Sequence, residues 1–79
     1  MLSEEEALYE LANAVLYKAA DDYRYYCKAV KNAEGYRRRV LMSKIKEIER
    51  FYTSPWGDVI SRGLGEIILE KLKKEQESA

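Results

Sequence analysis

Basic and aromatic side chains gather in the middle of this chain: Arg24, Lys28, Lys31, Arg37, Arg38 and Arg39, interleaved with Tyr25 and Tyr36. Cationic groups neutralise phosphate and aromatic faces stack on bases, so this mixture suits a nucleic-acid strand. Lys28, Lys31, Arg37, Arg38 and Arg39 are the candidate contacts. A solvated basic turn between two helices needs the same residues, and a formal net charge of zero removes the general pull expected of a nucleic-acid binder. Residues for other chemistry are scarce. There is no histidine, hence no imidazole base and no histidine metal ligand. Cys27 is the only cysteine, which excludes an intrachain disulfide. As a nucleophile it would need a neighbouring base, and a small half-buried side chain is the simpler reading. Asp21 and Asp22 are adjacent, so on a helix they point in different directions. Gly63 and Gly65 follow no strand pattern and read as helix punctuation, not as a phosphate loop. The expectation is a non-enzymatic chain with no catalytic residues, cofactor, metal or small-molecule substrate.

Tyrosine is over-used, with seven in 79 residues. Tyr23 and Tyr26 fall on an apolar stripe, and Tyr52 closes it. Tyr9, Tyr17, Tyr25 and Tyr36 lie off the stripe, and one small monomer cannot bury them all. Tyrosine offers contact area at low entropic cost with a polar tip, and is enriched at protein interfaces. Tyr9, Tyr17 and Tyr25 are the candidate protein contacts, against the plain alternative of scattered surface tyrosines.

The elements that must position these residues are legible from spacing. Ser3 with Glu6 three residues on is a capping box, and Glu4, Glu5 and Glu6 suit the positive end of a helix dipole. Leu8, Ala12, Val15, Ala19, Tyr23, Tyr26, Val30 and Ala33 recur at intervals of three and four, with Leu11 and Leu16 widening the stripe. This predicts a first helix over about 4–33, stopped by Gly35 in a left-handed conformation. A second helix over 36–52 carries Leu41, Ile45, Ile48 and Tyr52, and the short break makes the pair an antiparallel hairpin. Asp22, projected near the apolar face, is expected to pair with Lys44 or Lys46 across it. The second helix is shorter and leaves Leu8, Leu11, Val15 and Leu16 uncovered; exposing each forgoes about 1.5–3 kcal/mol. A short helix over 55–61, offering Trp56, Val59 and Ile60, and another over 65–75, offering Leu64, Ile67, Ile68 and Leu72, can fold back over that overhang. A second chain can supply the cover instead. Lys71 to Ala79 turns polar and is expected to fray.

Between the second and third helices lies an elbow, Phe51-Tyr52-Thr53-Ser54-Pro55-Trp56. Ser54 can cap orphan N–H groups, Pro55 suits a first helical position, and Trp56 is expected to pack back across the bend with Phe51 and Ile60. The run Ile48-Glu49-Arg50-Phe51-Tyr52-Thr53-Ser54-Pro55-Trp56 resembles a Glu-x-aromatic-aromatic-x-Ser-x-Trp segment of short uncharacterised helical proteins from phages and prophages of Gram-positive bacteria. Gly57 stands where those proteins often carry a second aromatic, a change expected to open space beside Trp56. The resemblance implies a mobile-element origin and no catalytic residues. Residues 55–75 have the glycine turn of a helix-turn-helix, but major-groove reading by its second helix is not expected, because Glu66 and Glu70 would face phosphate at the reading end.

Composition bounds the rest. With 47% hydrophobic and 35% charged residues, one proline and four glycines, the chain is too apolar for disorder and too poor in turn residues for a many-stranded sheet. No apolar run approaches the roughly 18 residues of a membrane span, and the acidic start lacks a signal peptide's basic and apolar regions, so a cytoplasmic location is expected. Charge is segregated: residues 1–22 carry six acids and one base, 23–50 nine bases and three acids, and the remainder five acids and four bases. Such asymmetry marks either an anionic partner or oppositely charged helices lying side by side. The expected architecture is all-α: a single-domain small helical bundle over 1–79, with a long N-terminal helix, an antiparallel second helix and two short C-terminal helices. The expected function is a non-catalytic protein–protein interaction or oligomerisation module, a homodimer or the binder of another protein. The alternative is a small nucleic-acid-binding accessory protein using the basic end of the hairpin.

Overall fold

The computed structural model describes residues 3–78 and is all-α, with four helices and no strand among the described residues. They are α1 (Glu4–Val30), α2 (Gly35–Thr53), α3 (Pro55–Ser61) and α4 (Gly65–Ser78). No helix among these residues is long and apolar enough to cross a membrane. Ser3 caps α1 as its sequence requires, its Oγ accepting from the Glu6 N–H at 3.2 Å. α1 stops earlier than its apolar stripe suggests. The chain leaves the helix after Val30, and Ala33 is buried in the turn itself. At this end the Val30 carbonyl accepts from the Ala33 N–H at 3.3 Å and from Arg38 Nη1 at 3.1 Å, so an acceptor that a helix end orphans is satisfied. Gly35 adopts φ +61°, but it opens α2 instead of closing α1.

Three bonds between α1 and α2 set the topology. Arg38 meets Val30, Tyr23 meets Glu49, and Tyr52 meets Leu16, so α2 runs antiparallel to α1. Lys73 lies 4.0 Å from Glu49 and Glu75 pairs with Arg24, so α4 runs beside α1 in the same direction. The core between these three helices is Ala20, Tyr23, Ile45, Tyr52, Leu69 and Leu72. On α4 Leu69 and Leu72 are buried and Ile68 packs against the core, while Ile67, and Leu64 just before the helix, are exposed, so half of the face expected from spacing turns inward and Leu69 completes it. The C-terminal turns are also longer than expected: α4 continues to Ser78, held by Arg24 on Glu75. Ala79, the last residue expected to fray, lies outside the described residues, as do Met1 and Leu2.

The expected pairing of Asp22 with Lys44 or Lys46 is not formed. Asp22 lies 3.6 Å from Lys18 on its own helix, and Lys44 lies 3.9 Å from Glu47. Asp22 is only half-buried, so no cross-helix partner is required to offset desolvation.

At 1.5 Å per residue, α1 is about 40 Å long and α2 about 28 Å. The hairpin closes at Val30–Arg38, so the whole mismatch falls at the N-terminal end of α1. The molecule measures 48 × 22 × 21 Å, with a radius of gyration of 14.2 Å. A round domain of this length would have about 12 Å.

Candidate functional site

The elbow is built around Tyr52 and not Trp56. Tyr52 is 1% exposed, stacks edge-on against Phe51 at 5.3 Å, and donates its hydroxyl hydrogen to the Leu16 carbonyl at 2.9 Å. Burial pushes its phenol pKa upward. Ser54 caps α3 as expected, accepting from the Gly57 N–H at 3.0 Å while donating to the Phe51 carbonyl at 2.7 Å, and Pro55 takes the first helical turn. Phe51 and Ile60 are half-buried. Trp56 is 65% exposed, so its expected packing across the bend does not occur. Gly57 shows why. A Cβ there would overlap the Phe51 carbonyl, and one at Gly65 would overlap the Tyr52 carbonyl. Both glycines let the following helix press onto the end of α2, and α3 therefore turns Gly57 and Ser61 inward and Trp56 and Val59 outward. Gly57 closes space at the elbow, where an opening beside Trp56 was expected.

The three candidate interface tyrosines do not form one patch. Tyr9 and Tyr17 line a groove of about 660 Å³ between α1 and the α3–α4 segment, together with Arg24, Ile60, Arg62 and Lys71. Tyr25 is not among the lining residues; it lies edge-on to Tyr26 at 5.6 Å. Arg62 holds its guanidinium 3.4 Å from the centre of the Tyr9 ring, a cation–π contact that ties the α3–α4 turn to α1. Arg62 adopts φ +56°, uncommon for a residue with a Cβ, and spacing alone gives no hint of it. Arg24 donates from Nε and Nη2 to Glu75 at 2.9 and 3.2 Å, a two-pronged pair that holds the Glu75 carboxyl below its ordinary range.

The basic candidates do gather at the hairpin end. Arg38 is committed to the end of α1, and Arg39 sits 6.0 Å from the centre of the exposed Tyr36 ring. Lys28, Lys31, Arg37 and Arg39 have no carboxylate within 4.0 Å among the described residues. Beside them Tyr23 donates its hydroxyl hydrogen to Glu49 at 3.0 Å, and burial with that carboxylate pushes its pKa far upward. Cys27 is half-buried next to this pair, and burial raises its thiol pKa, the opposite of what a nucleophile needs. No group of three or more metal-ligating side chains occurs among the described residues.

The overhang remains largely uncovered. α3 and α4 pack on one side of α1, where Ala20 is buried and Leu16 is half-buried. Leu8 is 66% exposed and Leu11 63%, with Val15 also on the surface. Of the cover offered by α3, only Ile60 turns inward. The exposed leucines therefore form a surface that the fold itself leaves unused. No protein-family model matches this chain, and no curated protein and no solved structure matches it either.

Proposed function

We propose that this protein is a non-catalytic interaction module that self-associates through the overhang of α1. The observation that carries this reading is the exposure of Leu8, Leu11 and Val15 on the helix whose continuation forms the core. Each exposed leucine forgoes about 1.5–3 kcal/mol that a partner would return. Val59 and Trp56 add apolar area on α3. The chain works by presenting this helical surface, in the cytoplasm, and the elbow's resemblance to phage and prophage proteins is consistent with a mobile-element origin. Molar mass by light scattering, at two protein and two salt concentrations, tests it. A dimer that persists at both salt concentrations is expected, because an apolar interface is screened little. A monomer under all four conditions sinks the reading.

A second reading rests on a separate observation, the cations Lys28, Lys31, Arg37 and Arg39 without carboxylate partners beside exposed Tyr36. On that reading a single-stranded oligonucleotide binds the hairpin end and is released steeply as salt rises. Absence of binding at low salt removes it.

A further inference from the structure

Resting on the self-association reading, the surface of α1 also specifies how two copies meet. Leu11, Val15, Lys18, Asp22, Tyr25 and Ala29 follow one another at alternating intervals of four and three, the spacing of a helix–helix seam. The other helices pack on other sides of α1, where Ala20 and Tyr23 are buried and Leu16, Ala19, Tyr26 and Cys27 pack against the core. Four of the six seam residues are thereby left exposed, and Asp22 and Ala29 are half-buried. Lys18 and Asp22 sit at the middle of the seam, 3.6 Å apart on one chain, with the Lys18 side chain exposed.

We infer that a second copy docks antiparallel along this seam, with Lys18 of each chain facing Asp22 of the other. A two-fold axis then pairs every other seam residue reciprocally, Leu11 with Ala29 and Val15 with Tyr25, large against small or flat. Sliding by one seam repeat sets Asp22 against Leu11 and Lys18 against Val15, burying charges on apolar groups. A parallel dimer sets Lys18 on Lys18 and Asp22 on Asp22. Only the antiparallel register matches the wider charge distribution as well. It carries Glu4, Glu5 and Glu6 of one chain to the hairpin turn of the other, where Lys31, Arg37 and Arg39 have no carboxylate within 4.0 Å among the described residues. Leu8 reaches past the end of the partner's α1 towards the exposed ring of Tyr36. The segregation of acids into the first third of the chain and bases into the second is thus what a self-complementary, head-to-tail pair of helices requires.

Cysteine pairing in the Cys27→Ala background distinguishes the registers. Lys18→Cys and Asp22→Cys chains are prepared separately, oxidised alone and as a mixture, and scored by mass beside light scattering of the unmodified chain. Both sites are on the surface, so neither variant threatens the fold. The expected result is a disulfide-linked dimer from the mixture and little from either chain alone, since like positions lie more than about 7 Å apart in this register. Linkage of either variant with itself but not with the other shows a parallel dimer. A light-scattering dimer without any linkage shows that the copies meet elsewhere. Either outcome overturns the seam and leaves the self-association reading standing, whereas a monomer overturns both.

Discussion

Tyr23 and Tyr52 are the two aromatic side chains that the core treats as polar, each buried with its hydroxyl satisfied, one by the Glu49 carboxylate and one by the Leu16 carbonyl. For Tyr23 this arrangement favours the neutral phenol. Its folded pKa lies above the unfolded value of about 10, so its contribution to stability is complete below that pH and is lost as pH climbs towards the folded value. Urea midpoints measured from neutral to strongly alkaline pH should fall less steeply for Tyr23→Phe than for the parent; equal slopes would contradict a phenol pKa raised by burial and by the bond to Glu49. The glycines carry the second prediction at this scale. Alanine at Gly57 or Gly65 gains up to about 1 kcal/mol of helix propensity, yet its methyl group would overlap the Phe51 or Tyr52 carbonyl. A net loss of about 1–3 kcal/mol is expected, read from chemical denaturation, and a neutral result would mean that the α2–α3–α4 junction gives way easily.

The helix junctions show how a short chain makes a three-helix core from unequal pieces. α3 is too brief to contribute a face of its own; it works as a spacer that returns α4 to the hairpin. Its orientation follows from Ser54, Pro55 and Gly57 together, and leaves Trp56 outside. Trp56→Ala is therefore expected to change stability by less than about 1 kcal/mol, as surface substitutions do. Tyr52→Ala, which empties the buried side of the same elbow, should cost about 3–5 kcal/mol. Thermal denaturation of the two variants side by side reads the contrast, and a severe loss for Trp56→Ala would place the indole in the core after all. At the other end of the molecule Arg24 clasps Glu75 and extends α4 beyond the point where its apolar residues stop.

At the scale of the whole molecule, α1 projects beyond the helices that support it, and its projecting end is both apolar and acidic. A chain with this shape meets its own basic end only in a second copy. Reversal of the seam charge tests the match: Lys18→Glu should weaken dimerisation on the order of tenfold or more, because two sets of carboxylates then face each other. Adding Asp22→Lys to the same chain restores opposite charges across the seam and should recover most of the affinity in sedimentation analysis. Failure of the second substitution to rescue the first would show that these residues do not face each other.

Helix existence, order and direction were legible in the residues, because capping and apolar spacing are local. Ser3 and Ser54 hold their N–H groups as their positions require, and the unequal lengths of α1 and α2 follow from where the apolar repeats stop. The overhang of α1 past α2 was legible for the same reason, but whether α3 and α4 would cover it was not: Leu16 packs against the core while Leu8, Leu11 and Val15 stay exposed. The tertiary structure alone decided which face of each short helix turns inward. Trp56, Leu64 and Ile67 are as apolar as Tyr52, Leu69 and Leu72, and in helices this short the spacing allows several faces. The choice was made by close backbone approach at Gly57 and Gly65 and by the reach of Arg62 to Tyr9, Arg24 to Glu75 and Arg38 to Val30. Such contacts join residues far apart in the chain or at its turns. They depend on where whole helices lie, which no local pattern contains.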